Sequence, residues 1–163
     1  MPVELKGSCH CGAVRFSLQS SSAVPYQLCV CSICRKVGGV GGSINLGGFH
    51  KTLKVEKGQE FIHIYNAVMN RDTPEEYVAH SERHFCSKCS AMLWVYDSEW
   101  PELVHPFASA IDSPLETPKM ISCALMGSKP DYVRLPEGTK EVYDKYPPDS
   151  LEGWHKKHGL WVE

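Results

Sequence analysis

No apolar run in this sequence comes near the ~18–20 residues that a membrane-crossing helix needs, so a helical membrane protein is excluded at the outset. A basic surplus is missing too. Lys and Arg number 17 against 19 Asp and Glu, for a formal charge of -2, which leaves no electrostatic footprint for nucleic acid or an anionic membrane surface. The opening Met1-Pro2-Val3-Glu4 has neither the basic start nor the apolar stretch of an export signal, so a cytoplasmic protein is expected. Helical periodicity is scarce as well. One turn over Glu99–Leu103 and one over Ser150–His158, with Ser150 as N-cap, are the helical segments expected.

What is present suits a single domain over residues 1–163. The chain is 42% hydrophobic and 22% charged, near the globular norm. From Ala13 to Gln19, Val14, Phe16 and Leu18 alternate with Arg15, Ser17 and Gln19, the period-2 pattern of a half-buried strand. Phe61–Tyr65, Met92–Tyr96 and Leu103–Phe107 have the same β-branched and aromatic character. Gly-, Pro-, Asp- and Ser-containing turns separate them, among them the glycine-rich run Val37-Gly38-Gly39-Val40-Gly41-Gly42. The expectation is a mostly antiparallel β domain.

The chain is rich in cysteine. A chain without an export signal should keep its eight cysteines reduced, and seven of the eight fall into three clusters. Cys9 and Cys11 form a C-x-C, Cys29, Cys31 and Cys34 a C-x-C-x-x-C, and Cys86 and Cys89 a C-x-x-C. Cys123 stands apart in an apolar stretch and reads as an inert core thiol. Two thiolates from one short loop can converge on a metal, but neither outer pair alone completes a tetrahedral site. Joining the pairs gives a closed four-cysteine zinc site of Cys9, Cys11, Cys86 and Cys89. Cys29, Cys31 and Cys34 then hold a second zinc with one coordination position open, the arrangement of catalytic zinc.

Spacing does not say which distant clusters meet. A histidine could instead close the triplet as a structural site, and His10, His50, His63, His80, His84, His105, His155 and His158 are formally available. His10 and His84 sit beside the outer pairs and are poor donors to the middle one. An open three-thiolate zinc is electron-rich. It suits an incoming thiol, which metal coordination turns into a thiolate nucleophile, better than it suits hydrolysis.

Several segments resemble the glutathione-dependent formaldehyde-activating enzyme family, which includes the centromere protein V type. Gly7-Ser8-Cys9-His10-Cys11-Gly12-Ala13-Val14-Arg15-Phe16 is close to its G-x-C-x-C-G-x-V-x-[FY] opening. Cys29-Val30-Cys31-Ser32-Ile33-Cys34-Arg35-Lys36 matches C-x-C-x-x-C-R-[KR], and Arg83-His84-Phe85-Cys86-Ser87-Lys88-Cys89 matches R-x-F-C-x-x-C. Ala108–Pro114 and Ser128–Tyr132 are similar to two later segments. The likeness covers about residues 5–135 and leaves a tail over 136–163.

The resemblance implies a β-tent fold of small antiparallel sheets organised around zinc. It implies structural zinc at Cys9, Cys11, Cys86 and Cys89 and catalytic zinc at Cys29, Cys31 and Cys34. It further implies a carbon–sulfur lyase joining glutathione and formaldehyde to S-hydroxymethylglutathione, or acting on a related thiol. Ser90 departs from the glycine common after C-x-x-C. Arg35 or Lys36 could attract a substrate carboxylate, although such positions are usually surface charges. The tail around Trp154 and Trp161 reads as an aromatic clasp over the sheet, or else as a lid or partner contact. A non-catalytic, zinc-stabilised interaction module is the alternative function, since fold alone does not specify function.

Overall fold

The computed structural model describes residues 1–39 and 41–162, so Val40 in the glycine-rich run lies outside the described residues. Its strands are β1 (Val3–Ser8), β2 (Arg15–Ser20), β3 (Tyr26–Cys29), β4 (Ser43–Asn45), β5 (Gly48–Phe49) and β6 (Lys54–Lys57). They continue with β7 (Ile62–Met69), β8 (Tyr77–Cys86), β9 (Met92–Tyr96), β10 (Leu103–Pro106), β11 (Ile121–Ala124) and β12 (Lys140–Val142). Two short α-helices, α1 (Ser32–Gly38) and α2 (Leu151–Lys157), complete the elements used below. The chain is mostly β, in small sheets with few helices.

Three sheets form, in the orders β1-β2-β6, β5-β10-β9-β8-β7 and β12-β11-β3-β4. The first two are antiparallel throughout. The third is mixed, because β11 runs parallel to both β3 and β12. Period-2 patterning alone does not show that departure. The segment Glu99–Leu103 makes turns and no helix, with Trp100 N–H donating to Asp97 and Leu103 N–H to Trp100.

The alternation over β2 is realised: Val14, Phe16 and Leu18 are buried. They pack with Leu5, Leu93, Trp94, Val104 and Phe107 into the main core between the first two sheets. Phe16 meets Trp94 edge-on at 5.0 Å, a geometry aromatic rings favour. Ser17 is buried against expectation, its hydroxyl donating to Glu56 at 3.0 Å. Cys123 lies in a second, smaller core with Leu28, Val30 and Val133, and burial raises its pKa.

The tail closes over the structure as a clasp. The Ser150 hydroxyl accepts from Gly153 N–H at 3.0 Å and caps α2. Trp161 meets Phe49 edge-on at 5.7 Å. His155 is buried, with Nε2 donating to the Val24 carbonyl at 2.5 Å and Nδ1 without a partner. Protonating Nδ1 would put a charge in an apolar site, so burial first, and then the nearby His158, hold this pKa below its ordinary value despite the Val24 bond. His84 and His105 are lowered by burial in the same way.

A depressed histidine pKa means that the unfolded chain takes up the proton first. Stability is therefore full above the ordinary pKa of about 6.5 and lost as pH falls below it toward the folded value. Thermal melts taken from about pH 7.5 down to about pH 5 should show Tm falling, with His155→Gln flattening part of that slope. A slope unchanged by the substitution would remove His155 as a contributor.

Candidate functional site

The outer cysteine pairs occupy two tight turns. Between β1 and β2, Cys9 N–H donates to Val14 and Gly12 N–H to Cys9, with Gly12 at φ +72°, a region glycine enters without Cβ strain. Between β8 and β9, Cys86 N–H donates to Ala91 and Ser90 N–H to Cys86. Ser90 holds φ +62°, which is why glycine would be at home there. Packing the three-stranded sheet on the five-stranded one brings these turns together. The Sγ atoms of Cys9, Cys11, Cys86 and Cys89 all lie within 4.8 Å of one another. Cys9 and Cys86 are buried within the main core.

The donor set fits a soft tetrahedral cation such as zinc. A sulfur tetrahedron with metal bonds of about 2.3 Å has edges of about 3.8 Å. The Cys9–Cys11 and Cys11–Cys86 sulfurs are 3.6 and 3.9 Å apart. The loops also favour thiolates. Burial opposes ionisation of Cys9, yet Val14 N–H at 3.2 Å and the thiols of Cys11 and Cys86 outweigh it and hold its pKa below the ordinary value. Cys89 is brought to about 6, since backbone N–H groups at Cys11 and Ala91 and the neighbouring thiols overcome its burial. Burial pushes Cys86 up to about 11.

The triplet is a local construction. Cys29 ends β3, Cys31 is the N-cap of α1, and Cys34 lies in its first turn. The three Sγ atoms fall within 4.8 Å of one another. Cys31 Sγ accepts from Cys34 N–H at 3.4 Å. Hydrogen bonds from Cys29 and Cys34 lower the Cys31 pKa to about 2. Cys29, which donates to that thiolate and is half-buried, is raised by its bonds with Cys31 and Cys34 first and by desolvation after them. For Cys34 the bond with Cys29 lowers the pKa, but the bond to Cys31 and burial outweigh it, and the value lies above ordinary.

One glycine of the glycine-rich run is required by the triplet's own strand. Gly42, at φ +88°, passes so close to β3 that a Cβ would meet the Cys29 carbonyl oxygen at 2.2 Å. Only glycine allows that approach.

Among the described residues no histidine or carboxylate joins either group. Burial and stacking take up several histidines instead: His50 stacks on Tyr96, His84 on Trp94, and His158 on Trp154. His105 Nδ1 meets the Leu46 carbonyl at 3.1 Å. Arg35 braces its own loop, Nε donating to Val30 at 3.1 Å, and Lys36 is exposed.

Two residues that sequence reasoning did not single out stand near the triplet. Tyr146, in the tail, is 76% exposed; partial desolvation first, then the negative charges of Cys29, Cys31 and Cys34, raise its pKa, with Arg83 opposing. Arg83 lies on β8 in the face opposite His84. The R-x-F-C-x-x-C motif contains this arginine, but spacing gives it no partner.

A mostly β chain with one four-cysteine and one three-cysteine group defines a small thiolate-site protein whose clusters could hold metal ions. Residues 4–123 match the family described as glutathione-dependent formaldehyde-activating enzyme, and the chain belongs to that family. A Halomonas elongata protein, provisionally named a glutathione-dependent formaldehyde-activating enzyme, is 47% identical over 158 residues, covering 96% of this chain and 97% of its own. A crystal structure of a Rhodobacter sphaeroides protein is similar with a TM-score of 0.54 at 22% identity, covering 68% of this chain and 90% of that one. At that identity the likeness shows the fold alone.

Proposed function

We propose that the protein is a zinc-dependent carbon–sulfur lyase that joins glutathione and formaldehyde to S-hydroxymethylglutathione, or acts on a closely related thiol adduct. The observation that carries this is the contrast between the two cysteine groups: one of four donors, and one of three that no fourth protein donor joins among the described residues. Family membership and the name of the Halomonas elongata relative support the substrate pair. Cys9, Cys11, Cys86 and Cys89 would hold a structural zinc, and Cys29, Cys31 and Cys34 a catalytic one, two per chain. Zinc in the triplet would supply a position at which a substrate thiol loses its proton.

The chain's own part is positioning and charge. Cys34 N–H stabilises negative charge on Cys31, and α1 and Gly42 fix the three sulfurs at the end of β3. In the net reaction the sulfur–carbon bond forms while the carbonyl oxygen becomes a hydroxyl. The proton lost by the thiol balances the proton gained by that oxygen, and cleavage is the reverse. The same reading takes residues 1–163 as one domain of the β-tent type, with a core over about 5–135. Eight free cysteines suit a reducing, cytoplasmic setting.

Exchange NMR of formaldehyde with glutathione tests the activity. The zinc-loaded protein should accelerate exchange over the uncatalysed rate, and elemental analysis should find two zinc ions per chain. Absence of acceleration, or a single zinc, would overturn this assignment.

A further inference from the structure

Arg83 is the one permanently charged side chain that is buried among the described residues, at 8% exposure. Burying a cation costs free energy unless an anion and hydrogen bonds compensate it, and here neither does. Among the described residues no carboxylate lies within ion-pair distance. The one hydrogen bond of the guanidinium runs from Nη1 to Ser81 Oγ at 3.3 Å, and Nε is enclosed without a partner. No sulfur accepts from it either, so its donors are not spent on the cysteines.

Strand register fixes where this group sits. Tyr65 on β7, Arg83 on β8, Val95 on β9 and His105 on β10 are successive cross-strand partners. The opposite face of the same strands carries His84 and Trp94, and Trp94 meets Phe16 of the three-stranded sheet. At one end of the Arg83 row, His105 contacts the Leu46 carbonyl, just past β4. Strand β4 pairs with β3, whose last residue is Cys29 across from Ser43. The row therefore ends, at β10, on the segment that leads out of the sheet whose β3 carries the cysteine triplet at its end. At the other end, Tyr65 is 39% exposed, which puts that end of the row at the molecular surface.

A planar guanidinium with free donors matches a carboxylate in charge and in fork geometry. We propose that Arg83 is the carboxylate anchor of the substrate site, binding an acidic group of the same small molecule whose thiol occupies the cysteine triplet. This rests on the thiol-substrate reading above and gives it a specificity: an acidic thiol such as glutathione, and not a neutral one. Arg35, whose Nε is bonded to Val30, and the exposed Lys36 do not take this role.

Isothermal titration calorimetry on the zinc-loaded protein tests the anchor without measuring turnover. Wild type should bind glutathione at least about tenfold more tightly than glutathione diethyl ester, the scale of a charge-assisted hydrogen bond. Arg83→Gln should bind the acid and the ester alike, near the wild-type ester affinity. Arg83→Lys, which keeps the charge and loses the fork, should retain only part of the preference, and it decides the matter if Arg83→Gln does not fold. Should wild type show no preference for the free acid, or should either folded variant keep the full preference, Arg83 is not the anchor. A weaker zinc affinity in Arg83→Gln with acid selectivity intact would make the guanidinium a counter-charge for the thiolates, and would also overturn the proposal.

If wild type binds neither glutathione nor its ester, the glutathione reading fails. The pair 3-mercaptopropionate and 2-mercaptoethanol then decides Arg83 separately. A preference for the carboxylate that disappears in Arg83→Gln upholds the anchor, and equal binding of the two thiols by wild type removes it.

Discussion

Cys86→Ser is expected to lower Tm by at least about 10–20 °C, because a loss near 5 kcal/mol shifts a domain of this size by ~2–4 °C per kcal/mol. The size follows from where Cys86 sits. Its side chain is fully enclosed in the main core, and its sulfur lies 3.9 Å from Cys11, which comes from the turn of another sheet. A metal held there ties two sheets together. Apparent binding energies of ~10–16 kcal/mol for structural zinc are comparable to the ~5–15 kcal/mol net stability of a whole domain. The serine hydroxyl, buried without a partner, would cost about 1–3 kcal/mol more.

The control is Cys31→Ser. Its group comes entirely from residues 29–34 and ties no two sheets, so Tm should move by only a few degrees. Calorimetry of both variants in zinc-containing buffer makes the comparison. Equal losses would mean that the triplet is a structural site, and the assignment of catalysis to it would lose its basis.

The same Cys31→Ser variant, still folded, should lose more than about 100-fold of the formaldehyde–glutathione exchange rate, since even second-shell changes at metal sites cost 10–100-fold. Cys31 is the member of the triplet whose ionisation the protein favours most. Its neighbours Cys29 and Cys34 donate to it and bring its pKa to about 2, and Cys34 N–H adds a backbone bond. A serine hydroxyl ionises far less readily and is a harder donor, poorly suited to a thiolate-type site. Cys123→Ala serves as the control for a cysteine outside both groups. That thiol lies in the small core, so its loss should cost stability and leave the exchange rate unchanged. Wild-type exchange in Cys31→Ser would refute the role given to the triplet.

The parts of the fold that the sequence showed were those governed by local periodicity and turn chemistry. Strand β2 was legible because Val14, Phe16 and Leu18 bury one face. The start of α2 was legible because Ser150 is a good N-cap. Strand β8 was not, for its ten residues include His80, Glu82, Arg83 and His84, and its pairing on both sides overrides that polar composition. Helix α1 escaped notice because it is seven residues long and begins on a cysteine cap. The parallel pairing of β11 with β3 joins segments almost 100 residues apart, and no local pattern encodes it.

By itself the sequence determined that three cysteine clusters exist, that each can present its sulfurs from one short loop, and that the middle cluster has three donors. These facts depend on contacts within a few residues, which spacing controls. Only the tertiary structure decided that Cys11 and Cys86, 75 positions apart, come within 3.9 Å, and that Arg83 is buried without an acid, in one cross-strand row with Val95 and His105. Those outcomes follow from which sheet faces stack to bury their apolar residues, a choice made by the whole core at once.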